Sequence, residues 1–245
     1  MHIVHDWLLQ IHIGIGALAL IAFWLPVATR KGSANHIKAG RLYVYSMYAV
    51  AVSALMMSAM VYLDPIGIRF PERNLEMERA MNIANQSRMF AAFLFMLGLL
   101  VLSGLRHGLL ALKTRQQADA LRTLPHRTLI IALGVVGLVV GISGLQNMQL
   151  LLIIFGALSV SASVSMLRES RIAKLTANQR IIAHFSGLIG TGIGAYTALF
   201  AFGGSRLLSQ VLSGQWQVIP WIAPAIIGTI AIRRTQRQYQ QGGAA

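Results

Sequence analysis

Residues 128–167 read TLIIALGVVGLVVGISGLQNMQLLLIIFGALSVSASVSML and contain no charged side chain. Two apolar runs, 128–146 and 149–167, are separated only by a tight polar turn at Gln146 and Asn147. Each run is close to the roughly 18 residues that an α-helix needs to cross the hydrocarbon core of a bilayer. We therefore predict that this stretch forms a hairpin of two membrane-spanning helices.

The rest of the chain repeats this alternation of apolar runs and short basic links. Further runs cover 7–29, 42–63, 89–111, 181–203 and 216–232, and the last one is short and carries Pro220 and Pro224. No hydrophilic stretch is long enough to fold separately. The sequence therefore predicts an all-α integral membrane protein, a bundle of about seven transmembrane helices in a single domain, residues 1–245.

Composition supports a bilayer as the main partner. The chain has 245 residues, 56% hydrophobic and 11% charged, against about 25% charged in ordinary soluble domains. The net charge of +14 is spread in short clusters between apolar runs, which favours basic membrane loops over a nucleic-acid surface. Cysteine is absent, which excludes disulfides and thiolate metal ligands.

Lys and Arg are divided unequally between alternate links. Links 30–41, 106–127, 168–180 and 233–237 hold sixteen of the 21 such residues. Because these residues accumulate in cytoplasmic loops, we predict that the N-terminus is outside and the C-terminus is cytoplasmic. The first span has no basic segment before it and no small-x-small cleavage site, so we expect it to stay in the membrane.

The longest outer link, 64–88, includes the mixed-charge segment Glu72–Met81. Its spaced apolar residues indicate a short helix at the membrane interface, and a solvated loop is the alternative.

Small residues recur at helical spacing in two spans. Close approach of helices in lipid favours such faces. We expect packing through Gly134, Gly137, Gly141 and Gly144 in the fourth span and through Ser186, Gly190, Gly194 and Ala198 in the sixth.

The middles of the spans contain no Asp, Glu or Lys. Ionisable residues inside a membrane are the usual functional candidates. Their absence argues against a carboxylate proton relay, a retinal-binding lysine and an arginine voltage sensor.

Histidine is the remaining candidate ligand. His36, His107, His126 and His184 are at or near the predicted inner ends of spans. Two facing imidazoles would hold a b-type haem, and three would hold zinc with one open position. We select His36, His184 and His107 as the inner candidate site. For His107 and His126, which adjoin arginines, the alternative is an interfacial residue that binds lipid headgroups.

His12 belongs to a separate, outer position. Along a straight helix it would be roughly 36 Å from His36, so the two cannot serve one site.

The first link carries a recognisable motif. Residues 30–43 read RKGSANHIKAGRLY, with His12 and Gly14 upstream. This pattern resembles the bacterial membrane proteins grouped as domain of unknown function 2306, and the stretch His184–Phe200 is similar to that family's late helix. The resemblance implies a bacterial cytoplasmic (inner) membrane protein in which His12, His36 and His184 are the notable histidines; the family has no settled activity. Leu188 stands where that pattern has methionine.

The same link is a compact cationic loop. Lys31, Lys38 and Arg41 are the residues that would hold an anionic lipid headgroup or phosphorylated ligand. Positive-inside topology explains them equally well.

The sequence leaves several functions open, and it leaves open whether the protein is an enzyme. One is a redox or metal-holding protein with the inner histidine site. Another is a small-molecule transporter or binding protein without a cofactor, and a third is a membrane scaffold or assembly partner. Lipid-amide hydrolase chemistry fits less well, because no His-x-x-x-His pair is present. The polar groups available to a transporter are Tyr43, Tyr45, Tyr48, Ser53, Thr191 and Tyr196.

Overall fold

The computed structural model describes residues 1–70, 76–203, 216 and 219–241, and all regular structure in these ranges is helical. The helices are α1 (His2–Ala28), α2 (Ala34–Leu63), α3 (Pro65–Arg69), α4 (Met77–Lys113), α5 (Leu124–Gln146), α6 (Leu150–Arg171), α7 (Ala177–Ala198) and α8 (Ile219–Gln241). A short 3-10 turn, Ala120–Arg122, precedes α5, and a π-helical turn, Leu199–Gly203, follows α7.

Within the described ranges, six helices are long and apolar enough to cross a membrane. They are α1, α2, α4, α5, α6 and α7 with its extension to Phe202, and they match the first six predicted spans. The predicted hairpin is confirmed as α5 and α6, which are joined by the turn at residues 147–149. The seventh predicted span is not among the six. Within α8 the apolar stretch begins at Ile219 and ends before Arg233. A stretch of this length is short for a bilayer crossing.

The predicted outer loop 64–88 is largely helical. Helix α4 begins at Met77 and continues without a break to Lys113, a length of 37 residues, or about 55 Å. Residues 77–88 are therefore the first turns of a helix longer than the roughly 30 Å hydrocarbon core. The prediction of a separate interfacial helix or a loop is wrong for these residues, because they form one continuous helix with the following span. Residues 71–75 lie outside the described residues.

The chain divides into two compact units. Unit 1 contains residues 1–102 and 129–165, and unit 2 contains residues 103–128 and 166–245.

In unit 1, the predicted small-residue face of α5 is a packing face, and it lies against α6. A Cβ atom added to Gly156 would lie 2.6 Å from the Gly141 Cα, and one added to Gly137 would lie 2.8 Å from the Ser159 Cβ. The Ser163 hydroxyl donates to the Ile130 carbonyl at 2.8 Å. Only glycine allows backbones this close, so this face fixes the hairpin.

In unit 2, α7 packs on α4 through a different face from the predicted one. A Cβ on Gly187 would lie 2.6 Å from the Gly104 carbonyl oxygen, and Ala183 and Thr191 are buried on the same face. A Cβ on Gly190 would meet nothing within 4 Å. The predicted register is therefore wrong at Gly190. Small residues occur at both registers, so spacing alone does not select the face.

Candidate functional site

Three ionisable side chains of unit 2 form a continuous hydrogen-bonded chain. His107 lies on α4, His126 lies in the first turn of α5, and Glu169 lies near the end of α6. The His107 Nδ1 atom is 3.1 Å from the His126 Nε2 atom, and the His107 Nε2 atom is 2.9 Å from the Glu169 Oε2 atom. The two imidazole rings are tilted by 35° with centroids 5.3 Å apart. His107 is thus held on both sides of its ring.

The link between α4 and α5 holds this arrangement in place. Ala120 and Leu121 of the 3-10 turn are buried. Arg122 then donates from Nε to the Ser170 carbonyl and from Nη2 to the Arg171 carbonyl, both at 3.2 Å. These carbonyls belong to the last turn of α6, where partners within the helix are missing. These two hydrogen bonds therefore tie the last turn of α6, near Glu169, to the link that leads into the first turn of α5 and His126.

This row of hydrogen-bonded side chains runs from a partly exposed end to a buried end. The side chain of Glu169 is 37% exposed and that of His107 is 4% exposed, and His126 is 0% exposed. The expectation that His107 and His126 are interfacial, headgroup-binding residues is therefore wrong. Both are enclosed by protein.

Hydrogen-bond chemistry assigns a direction to the chain. An ionised carboxylate only accepts, so His107 donates from its Nε2–H to Glu169. In a neutral His107 the Nδ1 atom then accepts from the Nε2–H of His126. This leaves the His126 Nδ1 atom as an acceptor, and it is buried without a hydrogen-bond partner.

The three residues of the predicted inner site do not all belong to one unit. His107 and His184 are in unit 2, whereas His36 is in unit 1. His184 donates from Nδ1 to the Gly108 carbonyl at 3.1 Å. Across the described residues, no set of three or more His, Cys, Asp or Glu side chains is arranged to hold a metal ion.

His36 and Lys31 cap helix ends in the first link. The His36 Nδ1 atom donates to the Pro26 carbonyl at 3.0 Å, and the Lys31 ammonium donates to the Pro26 and Val27 carbonyls at 2.8 Å. Ser33 accepts from the His36 amide and caps α2. These bonds satisfy the last carbonyls of α1. The motif therefore joins two helices, a structural use of Lys31 and His36 that the sequence interpretation did not include.

His12, the outer histidine, pairs with a serine. Its Nδ1 atom lies 2.8 Å from the Ser53 hydroxyl oxygen of α2. The Ser53 hydroxyl also lies 2.7 Å from the Ala49 carbonyl, so it donates there and accepts from His12. This polar contact joins α1 to α2 within unit 1.

Sequence reasoning did not select Glu169. No carboxylate lies in the middle of a span, but Glu169 reaches His107 from a helix end. A signal was present: Glu169 is the only acidic residue after Asp119, in a link otherwise rich in arginine.

Comparison with protein-family models, curated proteins and solved structures finds no match to this chain. The resemblance to domain of unknown function 2306 stays a prediction.

Proposed function

We propose that this protein is an integral protein of the bacterial inner membrane. We propose further that it transfers protons through the hydrogen-bonded side chains of Glu169, His107 and His126. The observation that carries the proposal is the unbroken pair of hydrogen bonds, 2.9 and 3.1 Å long, from a partly exposed carboxylate to a buried imidazole. In this proposal α8 forms the seventh span, the N-terminus is outside, and the links rich in Lys and Arg face the cytoplasm. Glu169 then exchanges protons with the cytoplasm.

The proposed transfer moves one proton along the three side chains in successive steps. A proton that arrives at His126 Nδ1 releases the Nε2 proton of the same ring to His107 Nδ1. His107 in turn releases its Nε2 proton to the Glu169 carboxylate, which loses it to water. The bond between the two histidines reverses its donor, and the protonated Glu169 donates to His107 Nε2 until its proton passes to water. That last bond is then lost, and both rings must return to their starting tautomers before a second transfer. Imidazole suits this role because one of its two ring nitrogens can accept a proton while the other releases one.

A purely structural role explains the chain less well. A buried polar network stabilises a protein only when every member is satisfied. Here the His126 Nδ1 atom is left without a partner, which costs about 1–3 kcal/mol. A role for the His126 Nδ1 atom as the proton acceptor of the relay accounts for that cost.

The proposal is tested by the ¹⁵N spectra of the full chain, labelled with ¹⁵N-histidine in lipid nanodiscs, which report the tautomer of each ring. We expect Glu169→Gln to change the tautomer populations of both His107 and His126, because the hydrogen bonds fix which ring nitrogen donates. Asp119→Asn, which removes an exposed carboxylate from the neighbouring link, is the matched control. A His126 tautomer that is unaffected by Glu169→Gln would overturn the relay.

Metal holding is the second candidate function: one distance fits it, and the described residues supply two of the three or four ligands that a protein zinc site uses. Two nitrogen ligands of a tetrahedral zinc ion, each about 2.0–2.1 Å from the metal, are about 3.3 Å apart. His107 Nδ1 and His126 Nε2 are 3.1 Å apart, and a carboxylate on the other nitrogen is the usual support of a metal-bound histidine. A b-type haem would need the two nitrogens on opposite faces of a porphyrin, so among cofactors the geometry favours a small ion.

Zinc titration separates the two candidates. One Zn²⁺ bound per chain, lost in His107→Ala and in His126→Ala but kept in His36→Ala, would favour the metal site. Absence of such binding leaves the relay.

A further inference from the structure

Exposed aromatic side chains lie near both ends of the first two helices of unit 1. Trp7 and Trp24 of α1 are 68% and 56% exposed, and Tyr45 and Tyr62 of α2 are 69% and 50% exposed. In each helix the two residues are 17 positions apart, which is about 25 Å at 1.5 Å per residue. We call Trp7 and Tyr62 the first aromatic pair, and Trp24 and Tyr45 the second aromatic pair.

The contacts between α1 and α2 place the two members of each pair at a similar height. His12 of α1 lies 2.8 Å from the Ser53 hydroxyl of α2. The Phe23 ring of α1 contacts the Tyr43 ring of α2, with centroids 5.6 Å apart. The two helices are therefore antiparallel, and the members of each pair are within about 6 Å of each other along the helix axes.

The surface between the two aromatic pairs is apolar. Residues 8–23 of α1 and 46–61 of α2 contain no Asp, Glu, Lys or Arg. The large side chains that are exposed on these two segments are Leu, Ile, Val and Met, with Gln10 as the one polar exception. Trp and Tyr concentrate at the two membrane–water interfaces, on either side of such an apolar band. The aromatic pairs therefore have the positions of two interfacial belts.

Helix α4 supports the position of the first aromatic pair. The Arg88 Nε atom donates to the Tyr62 carbonyl at 3.2 Å, so Arg88 lies beside this pair. A Cβ atom on Gly98 would lie 3.0 Å from the Leu55 side chain, so α4 runs from there along the apolar band. Residues 89–105 contain no Asp, Glu, Lys or Arg. The charged first turns of α4 therefore lie beyond the first aromatic pair.

We propose that the exposed face of α1 and α2 contacts the acyl chains of a bilayer whose hydrocarbon core is at most about 25 Å thick, with the two aromatic pairs at its boundaries. This core is thinner than the usual 30 Å or so, and any tilt of the helices reduces its thickness further. The pair His12–Ser53 then lies inside the core, and the first turns of α4 stand in water. The proposal goes beyond the proposed function and does not rest on the proton relay.

The boundaries are tested by tryptophan fluorescence of the full chain in phosphatidylcholine nanodiscs, with bromine either near the headgroup or deep in the acyl chains. Trp24→Phe, Trp216→Phe and Trp221→Phe together leave only Trp7, and the corresponding variant leaves only Trp24. We expect shallow bromine to quench each of them about twofold more strongly than deep bromine. The matched control is Leu18→Trp in a chain without the four natural tryptophans. Leu18 is 44% exposed and lies between the two pairs, so the order of quenching should reverse.

Two results would overturn the proposed boundaries, in variants shown by thermal unfolding to be folded. One is stronger quenching of Trp7 or Trp24 by deep bromine, which would place that residue inside the hydrocarbon core. The other is the absence of quenching by either lipid, which would mean that a second copy of this chain, another protein or water covers the face.

The thickness has a test of its own. The unfolding temperature of the full chain is measured in a series of phosphatidylcholines with monounsaturated chains of about 14 to about 22 carbons. We expect the highest unfolding temperature in the thinner half of the series, and a maximum in the thicker half would overturn the thickness. Failure of the relay is read separately, from the tautomers of His107 and His126, and neither result depends on the other.

Discussion

Removal of the Glu169 carboxylate measures how much its hydrogen bond to His107 contributes to the free energy of unfolding. In Glu169→Ala the Nε2–H of His107, whose side chain is 4% exposed, loses its partner. An unsatisfied buried donor costs about 1–3 kcal/mol. Because Glu169 is itself 37% exposed and water screens its charge, we expect a loss of about 2 kcal/mol in the free energy of unfolding.

Glu169→Gln keeps a neutral acceptor and removes only the charge. A charge-assisted hydrogen bond is worth about 1 kcal/mol more than a neutral one, so we expect a loss of about 1 kcal/mol. The free energies of unfolding are obtained from reversible denaturant titration in mixed micelles. Asp119→Asn, at an exposed position, is the control and should change stability little. The reasoning is refuted if Glu169→Ala destabilises the protein no more than Asp119→Asn does.

Other predictions follow from the packing and the caps. Gly156→Ala should destabilise unit 1 by about 1–3 kcal/mol in the same titration, because its Cβ would meet the Gly141 backbone at 2.6 Å. Gly190→Ala, with open space around the new Cβ, should be neutral or stabilising by up to about 1 kcal/mol, and a loss as large as that of Gly156→Ala would contradict the α7 register. Lys31→Met should cost about 1 kcal/mol, because the ammonium caps the end of α1. Equal loss in Lys38→Met would show that the effect is not specific to the cap.

The sequence predicted the helices better than their contacts. Hydropathy located the six long helices because each must carry a long apolar run. It also selected the α5 face that packs on α6, because four glycines recur there at helical spacing. In α7 it selected Gly190 rather than Gly187, because small residues occur in both registers and the partner, α4, is distant in sequence.

The candidate site could be predicted only in part. His107 was among the selected residues, but its partners are 19 and 62 residues away in sequence. Helical periodicity indicates the face on which a residue lies, and it does not say which helix ends meet. His126 was assigned to the interface because it adjoins a basic link, and only tertiary packing encloses it. Glu169 was not selected because its Cα lies outside the apolar run and its side chain reaches back.

The most direct test of the relay is the hydrogen bond between the two histidines. In the full chain, labelled with ¹⁵N-histidine and held in nanodiscs, a scalar coupling across that bond should link His107 Nδ1 to His126 Nε2. The relay predicts this coupling in the wild type and its absence in His126→Gln, with His36→Gln as the control that keeps it. Two uncoupled histidines in the wild-type spectrum would contradict the account.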